Sequence, residues 1–320
     1  MGKFIQYELW KDCRNHCKFC YNYGQSDKYS KTKSLDHFLK KLDDLEVDEY
    51  DEIGFIGGEF FDNQLEDLDV RNKFYQLFEK CAEKRKVGKL NKLYVATALM
   101  FDPNPYLIPF LDYLKEIGLL DITLLCTSYD LKYRFRNHYK KELWEANMLM
   151  LNEMYPELTL HTEIIMTEFF MQEVIDDKFS ITDFHNRFHT WIDYVHPQRW
   201  TSKLTKEQCN TIIPDFFAHK DTFIKFLRKT AIEKHEINLN TFLAMNVRSD
   251  VFYCVYNGTE VDVHNRRELL ESNKEDLDQY CQEHKHLTQY LKEKNETGFI
   301  DSDLQMYDVV KQFRDMYGDY

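Results

Sequence analysis

Glycine and proline are scarce, at ten and six of 320 residues. No Pro- or Gly-rich linker and no low-complexity tract therefore marks a domain boundary or a disordered region. Long hydrophobic runs are missing as well. No stretch approaches the roughly 20 apolar residues that a bilayer demands, so no membrane partner is expected. The opening "MGKFIQYELWKDC" holds no apolar signal core, and positions 3–6 lack the Ser or Thr of a myristoylation signal. The expected location is the cytoplasm. A basic excess is also absent: 55 acidic residues face 42 basic ones, for a net charge of −13. That argues against a long nucleic acid as partner, though not against a local basic groove.

Hydrophobic and charged residues are both plentiful, at 43% and 30%, which is the balance of a globular chain with a sizeable core. The first two hundred residues alternate between two patterns. Strand-like runs fall at 4–10, 52–58, 92–100, 121–129 and 158–167, with a sixth at 191–198. Helical periodicity occupies 34–45, where Ser34 is the expected N-cap, then 72–84, 105–118 ending at Gly118, and 141–156 ending at Pro156. Repeated β-then-α units imply a parallel sheet with right-handed crossovers, hence a barrel or an open arc. After residue 200 the pattern changes to helices at 215–235 and 274–294 and a hairpin at 251–265 turning at Asn257-Gly258. The expected architecture is α/β: a partial (β/α)6 TIM-like barrel over residues 1–200, with a mostly helical C-terminal extension, 201–320, packed on it.

Eight cysteines in a chain without an export signal are expected to be reduced thiols. Three are crowded into "DCRNHCKFCY", at Cys13, Cys17 and Cys20. A closed zinc site wants four ligands, usually as two pairs, and no second pair exists. His16 stands too near its neighbours in sequence to complete a tetrahedron, and Cys81 and Cys126 occupy core-like positions. A [4Fe–4S] cluster accounts for the count differently: three thiolates cover three irons, and the fourth iron keeps an open position. A loop after the first strand puts that position at the C-terminal mouth of the sheet, where α/β barrels carry their sites.

C-x3-C-x2-C after a first strand, with the aromatic Phe19 before the last Cys, resembles the radical S-adenosylmethionine (radical SAM) superfamily. The resemblance covers roughly residues 1–200 and implies metal ligands Cys13, Cys17 and Cys20. It also implies that Gly57-Gly58-Glu59, which ends the second strand, receives the ammonium of SAM. Glycines there let a backbone approach a ligand, and Glu59 offers an acceptor to a cation. Many relatives have Pro after the Glu, whereas this chain has Phe60. Ser128, near the fourth strand end, matches a residue that contacts the SAM ribose. Arg134, or else Arg136, matches the basic contact to the SAM carboxylate, since a guanidinium is a forked donor. Phe19 and Tyr21 match an aromatic packed on the adenine. Thr97, Glu163 and Thr167 could line the mouth, but alternation alone leaves their faces open.

The implied activity is that of an oxidoreductase: reductive cleavage of SAM to a 5′-deoxyadenosyl radical, which abstracts hydrogen from a substrate. The implied cofactors are one [4Fe–4S] cluster and SAM, and the implied partner is an electron donor such as flavodoxin or ferredoxin. The first candidate substrate is a peptide or protein side chain, with Phe216, Phe217, Phe223 and Phe226 shaping a groove or, in the simpler reading, a core. The alternative is a nucleotide or nucleoside whose phosphate meets Lys132, Arg134 or Arg136. A non-catalytic iron–sulfur or zinc binding protein is the third reading, which gives Gly57-Gly58-Glu59 no task. His185, His189 and His196 would form a second metal site only if one helix carried all three.

Overall fold

The computed structural model describes residues 4–15, 17, 20, 27, 29–44, 51–135, 137–165 and 167–195. Beyond these it describes two strands, 251–257 and 260–265, and the helical positions 222, 225, 226 and 229. Six strands run in chain order: β1 (Phe4–Glu8), β2 (Glu52–Ile56), β3 (Lys92–Ala96), β4 (Thr123–Tyr129), β5 (Thr159–Ile165) and β6 (Trp191–Val195). Each pairs in parallel with the next. Between them lie α1 (Lys31–Asp44), α2 (Leu68–Lys86), α3 (Leu107–Glu116), α4 (His138–Met154), α5 (Glu168–Ile175) and α6 (Ile181–Phe188). Sequential strand order with right-handed crossovers puts every helix on one face of the sheet, which leaves the opposite face concave.

The pleat divides the side chains accordingly. Ile5 and Tyr7, Ile53 and Phe55, Leu93 and Val95, and Leu125 and Tyr129 join the helices in the main core. Phe4, Tyr94 and Cys126 form a separate small cluster on the concave face. The main core is rich in rings. Phe74 of α2 touches Trp10, Phe60, Phe61, Phe78 and Phe110, with centroids 5.1–6.0 Å apart. This cluster joins two helices to the loops that leave β1 and β2, so it anchors the mouth as well as the core.

Local signals explain most helix ends. Asp67 caps α2, Asn137 caps α4, Thr167 caps α5 and Ser180 caps α6, each accepting from a backbone N–H of the first turn. Gly118 takes φ +72° just past α3, as a left-handed C-terminal stop requires. Ser34 is not an N-cap. The helix starts three residues earlier, where Ser30 Oγ accepts from Lys33 N at 3.4 Å, and Ser34 donates to Leu9 O at 2.6 Å. The periodicity of 34–45 began only where the apolar face does. Helices α5 and α6 have eight residues each, barely two turns, too few for their periodicity to stand out in the sequence. Since α6 ends at His189 in a left-handed conformation, no single helix carries all three histidines; His196 lies outside the described residues.

The hairpin is present as β7 (Val251–Asn257) and β8 (Glu260–Asn265), with Asn257 paired to Glu260. It does more than pack on the arc: β7 pairs in parallel with β1, extending the sheet to the order β6-β5-β4-β3-β2-β1-β7-β8. Phe226 is fully buried and meets Phe170 of α5, while Lys229 Nζ donates to Ile175 O at 2.9 Å. That places Phe226 in the core. Most of 215–235 and all of 274–294 lie outside the described residues, as do Phe216, Phe217 and Phe223. No helix among the described residues is long and apolar enough to cross a membrane.

Phe74→Ala should cost about 3–5 kcal/mol, the range for emptying a large buried ring. Urea unfolding of the purified protein checks this, and a loss below about 1 kcal/mol, that of a surface change, would remove Phe74 from the anchoring role.

Candidate active site

The site is assembled from the residues that follow β1, β2, β3 and β4. β1 ends at Glu8, and the chain then runs beside the end of β2. Leu9 N donates to Ile56 O at 3.0 Å, Gly58 N to Trp10 O at 2.6 Å and Glu59 N to Asp12 O at 3.1 Å. The indole of Trp10 adds a bond to Glu59 O at 3.3 Å. Residues 9–12 and 56–59 thus form a main-chain seam, and Cys13 follows at its end.

The glycines make the seam possible. Gly57 has φ +147°, which disfavours a side chain, and a Cβ there would lie 2.2 Å from Trp10 O. A Cβ on Gly58 would lie 1.9 Å from Asp12 O. The close approach that the sequence implied is therefore first to the protein's own backbone.

Glu59 is 1% exposed. Its Oε1 accepts from Phe61 N at 2.9 Å and from Thr97 Oγ1 at 3.1 Å, and its Oε2 accepts from Ala98 N. Burial nonetheless pushes its pKa up to about 7, outweighing those donors. The carboxylate ties the end of β2 to the end of β3. Thr97 serves this bond.

The three thiols differ in setting. Cys13 is half-buried, and Asn15 aims its backbone N and its Nδ2 at the sulfur, at 3.5 and 3.7 Å. Burial, with the nearby Glu59 charge second, pushes its pKa up to about 11, while the Asn15 donors favour the thiolate. Cys17 is buried with Sγ 4.0 Å from Arg134 O, and Cys20 N donates to Cys17 O at 3.0 Å. The loop is held from behind by Asp27, which accepts from Lys11 N at 2.7 Å, and by the Lys31–Asp12 ion pair at 2.9 Å.

Beyond β4 the turn is built on Asp130, fully buried. Its Oδ2 accepts from the backbone N of Lys132, Tyr133 and Arg134, and its Oδ1 accepts from Thr167 Oγ1 at 2.9 Å. Thr167 is thereby spent on the turn and on capping α5. The turn sends the Arg134 side chain back across the strand ends, where it is 4% exposed. Nη1 donates to Ser128 Oγ, and Nη2 to Ala98 O at 3.0 Å and to Thr127 Oγ1 at 3.3 Å. Its Nε is buried with no hydrogen-bond partner. A buried, unpartnered guanidinium donor is costly and suits an anionic ligand.

Most of the residues named from sequence therefore meet. Cys13, Cys17 and Cys20 share one loop, Gly57, Gly58 and Glu59 abut it, and Ser128 is bonded to Arg134, which touches Cys17. Phe19, Tyr21 and Arg136 lie outside the described residues. Sequence reasoning missed Asn15, the indole of Trp10 and the Ala98 amide, none of which belongs to a recognisable pattern. Asp130 is the post on which the Arg134 turn is built.

The donor set fits an iron–sulfur cluster and a SAM molecule. Among the described residues no three His, Cys, Asp or Glu side chains converge on one metal ion. A polynuclear cluster instead takes one thiolate per iron, from a short loop such as this. The bond-deficient Arg134 Nε is the group a SAM carboxylate would complete.

Two outcomes follow. With the unfolded carboxyl near 4.5 and the folded one near 7, folding favours the protonated form of Glu59. Cluster-free protein should lose about 3 kcal/mol as pH rises from 4.5 to 7. That slope should vanish in Glu59→Gln, measured by denaturant titration; an unchanged slope would assign it elsewhere. Gly58→Ala should load far less iron than the wild type on anaerobic reconstitution, because the seam must open. Full loading would show the seam to be dispensable.

The sequence matches the model of the radical SAM superfamily over residues 7–177, more than half the chain. No curated protein matches it. Among solved structures, Streptococcus suis SuiB bound to S-adenosylmethionine is similar at 12% identity and a TM-score of 0.48, over 81% of this chain and 51% of SuiB. The protein anSMEcpe with bound AdoMet is similar at 13% identity and a TM-score of 0.45, over 73% of this chain and 62% of that one. The chain thus spans about half the length of SuiB, and likeness at this level does not extend to activity or substrate. Members of the matched superfamily are enzymes whose cofactors are a [4Fe–4S] cluster and SAM. Through residues 7–177, which include the thiol loop, the Gly-Gly-Glu seam and the Arg134 turn, this chain belongs to the radical SAM superfamily.

Proposed function

We propose that this chain is a radical SAM enzyme acting on a peptide or protein side chain. The observation that carries the reading is the joining of the three-thiol loop to Gly57–Glu59 and, through Cys17 and Arg134, to Ser128. When bound, the cluster and SAM supply the electron and the 5′-deoxyadenosyl radical. The protein's own residues hold and aim. Cys13, Cys17 and Cys20 are the cluster ligands. The main-chain oxygens and carboxylate of Gly57–Glu59 receive the SAM ammonium, Ser128 contacts the ribose, and Arg134 Nε meets the carboxylate. Phe19 and Tyr21 pack on the adenine, and Arg136 is the reserve basic contact. A one-electron donor of the flavodoxin or ferredoxin class completes the set of partners.

The concave face supports a peptide over a nucleotide. It presents Glu8 on β1 and Glu163 on β5, and a phosphate placed among carboxylates would be repelled. Of the three basic residues that a phosphate could meet, Lys132, Arg134 and Arg136, Arg134 already has both Nη groups bonded.

Anaerobic reconstitution with iron and sulfide, then SAM and dithionite, should yield 5′-deoxyadenosine, with about four irons per chain. Cys17→Ala should lose both. Stoichiometric zinc without SAM cleavage would overturn the reading. Arg134→Ala should weaken SAM binding, and unchanged affinity would move that role to Arg136. Among added substrates, peptides rather than nucleotides should raise turnover of SAM; the reverse would establish the nucleotide alternative.

A further inference from the structure

The concave face carries a polar pair that cofactor binding does not use. Tyr94 of β3 is 7% exposed, and its phenol donates to Glu163 Oε1 at 2.8 Å. Cys126 of β4, also buried, packs in the same small cluster as Tyr94. The ring is fixed edge-on against Phe4 at 5.9 Å and His161 at 6.2 Å. Burial, then the Cys126 and Glu163 charges, hold the phenol protonated well above its ordinary range.

Its place in the sheet matters more. β3 runs between β2, which leads into Gly57–Glu59, and β4, which ends at Ser128 and Tyr129. Glu163, the phenol's acceptor, is the register partner of Ser128 across β4 and β5. Tyr94 therefore lies on the concave face, three residues before Thr97 at the end of β3. A buried phenol needs an acceptor in any protein. Here the acceptor is a half-buried carboxylate, a base that can carry a proton between the phenol and solvent. A phenolic O–H is also weaker than an unactivated aliphatic C–H, so an alkyl radical removes its hydrogen downhill.

We propose that Tyr94 is a hydrogen-atom donor to a carbon-centred radical held in the concavity, an inference that rests on the radical SAM reading above. In this step the Tyr94 O–H bond breaks homolytically and a C–H bond forms on the radical carbon. The unpaired electron stays on the phenoxyl. One electron from a reductant of the flavodoxin or ferredoxin class, with one proton delivered by Glu163, restores the phenol. The hydrogen transferred is one that exchanges with solvent.

The test needs no substrate. Reconstituted protein in D2O receives SAM, with titanium(III) citrate as sole reductant and no added thiol, and the 5′-deoxyadenosine is weighed by mass spectrometry. The wild type should place one deuterium in the product, and Tyr94→Phe, which keeps the ring packed, should lose that label while still cleaving SAM. Cys126→Ala should keep it. Freeze-quenched wild-type protein grown on ring-deuterated tyrosine should show a narrowed tyrosyl signal by electron paramagnetic resonance, a readout independent of how Tyr94→Phe folds. An equal label in wild type and Tyr94→Phe, a label lost only in Cys126→Ala, or the absence of any tyrosyl signal overturns this proposal alone. No 5′-deoxyadenosine in any sample overturns the radical SAM reading and this proposal with it.

Discussion

Everything at the mouth of the arc depends on one main-chain contact, the seam between residues 9–12 and 56–59. Its bonds are short and direct: Gly58 N to Trp10 O is 2.6 Å, and a methyl group at either glycine would collide with a carbonyl. The seam brings the thiol loop over the end of β2. Glu59, inside it, extends the connection to β3 through Thr97 and Ala98. Arg134 then spans Ala98, Thr127 and Ser128 while its own carbonyl meets Cys17. Four strand ends are thereby joined in a loop of contacts that returns to the cysteines.

This belt has an electrostatic character set by burial. Glu59 and Arg134 are opposite charges, each almost fully enclosed, yet neither is neutralised by the other as a simple ion pair. Glu59 is met by neutral donors, and burial holds its pKa up to about 7. Arg134 is met by neutral acceptors and keeps an unused Nε. Buried groups left in this condition are expensive unless a ligand completes them. An amino acid moiety, with its ammonium and carboxylate, is the ligand that the proposed function brings to these two groups.

Much of this was legible in the sequence. Six strands and the larger helices follow from periodicity, and the thiol spacing with Gly57-Gly58-Glu59 indicates the mouth. What escaped was of two kinds. Short helices such as Ile181–Phe188 give too few turns for a pattern, although the Ser180 cap was a signal. Tertiary assignments escaped because they depend on partners remote in sequence. Nothing near Ser34 indicates that it reaches Leu9, and nothing in "SYDLKYR" shows that Asp130 folds the turn that carries Arg134 back over the strand ends. The parallel pairing of β7 with β1 is of the same kind, since a hairpin pattern fixes its internal register but not the edge it joins.

Because the seam is made of main-chain atoms, it asks little of most side chains beside it. The glycines are constrained by volume, while their neighbours need only be compatible with the core beneath. Phe60 shows the latitude this gives. It stands where many relatives have proline, and here it is fully buried, edge-on to Trp10 at 4.9 Å. A rigid ring closure and a buried aromatic anchor are different ways of fixing the same turn. The path of the mouth therefore rests on the two glycines and the main-chain bonds, and the residue after Glu59 is left to serve the core.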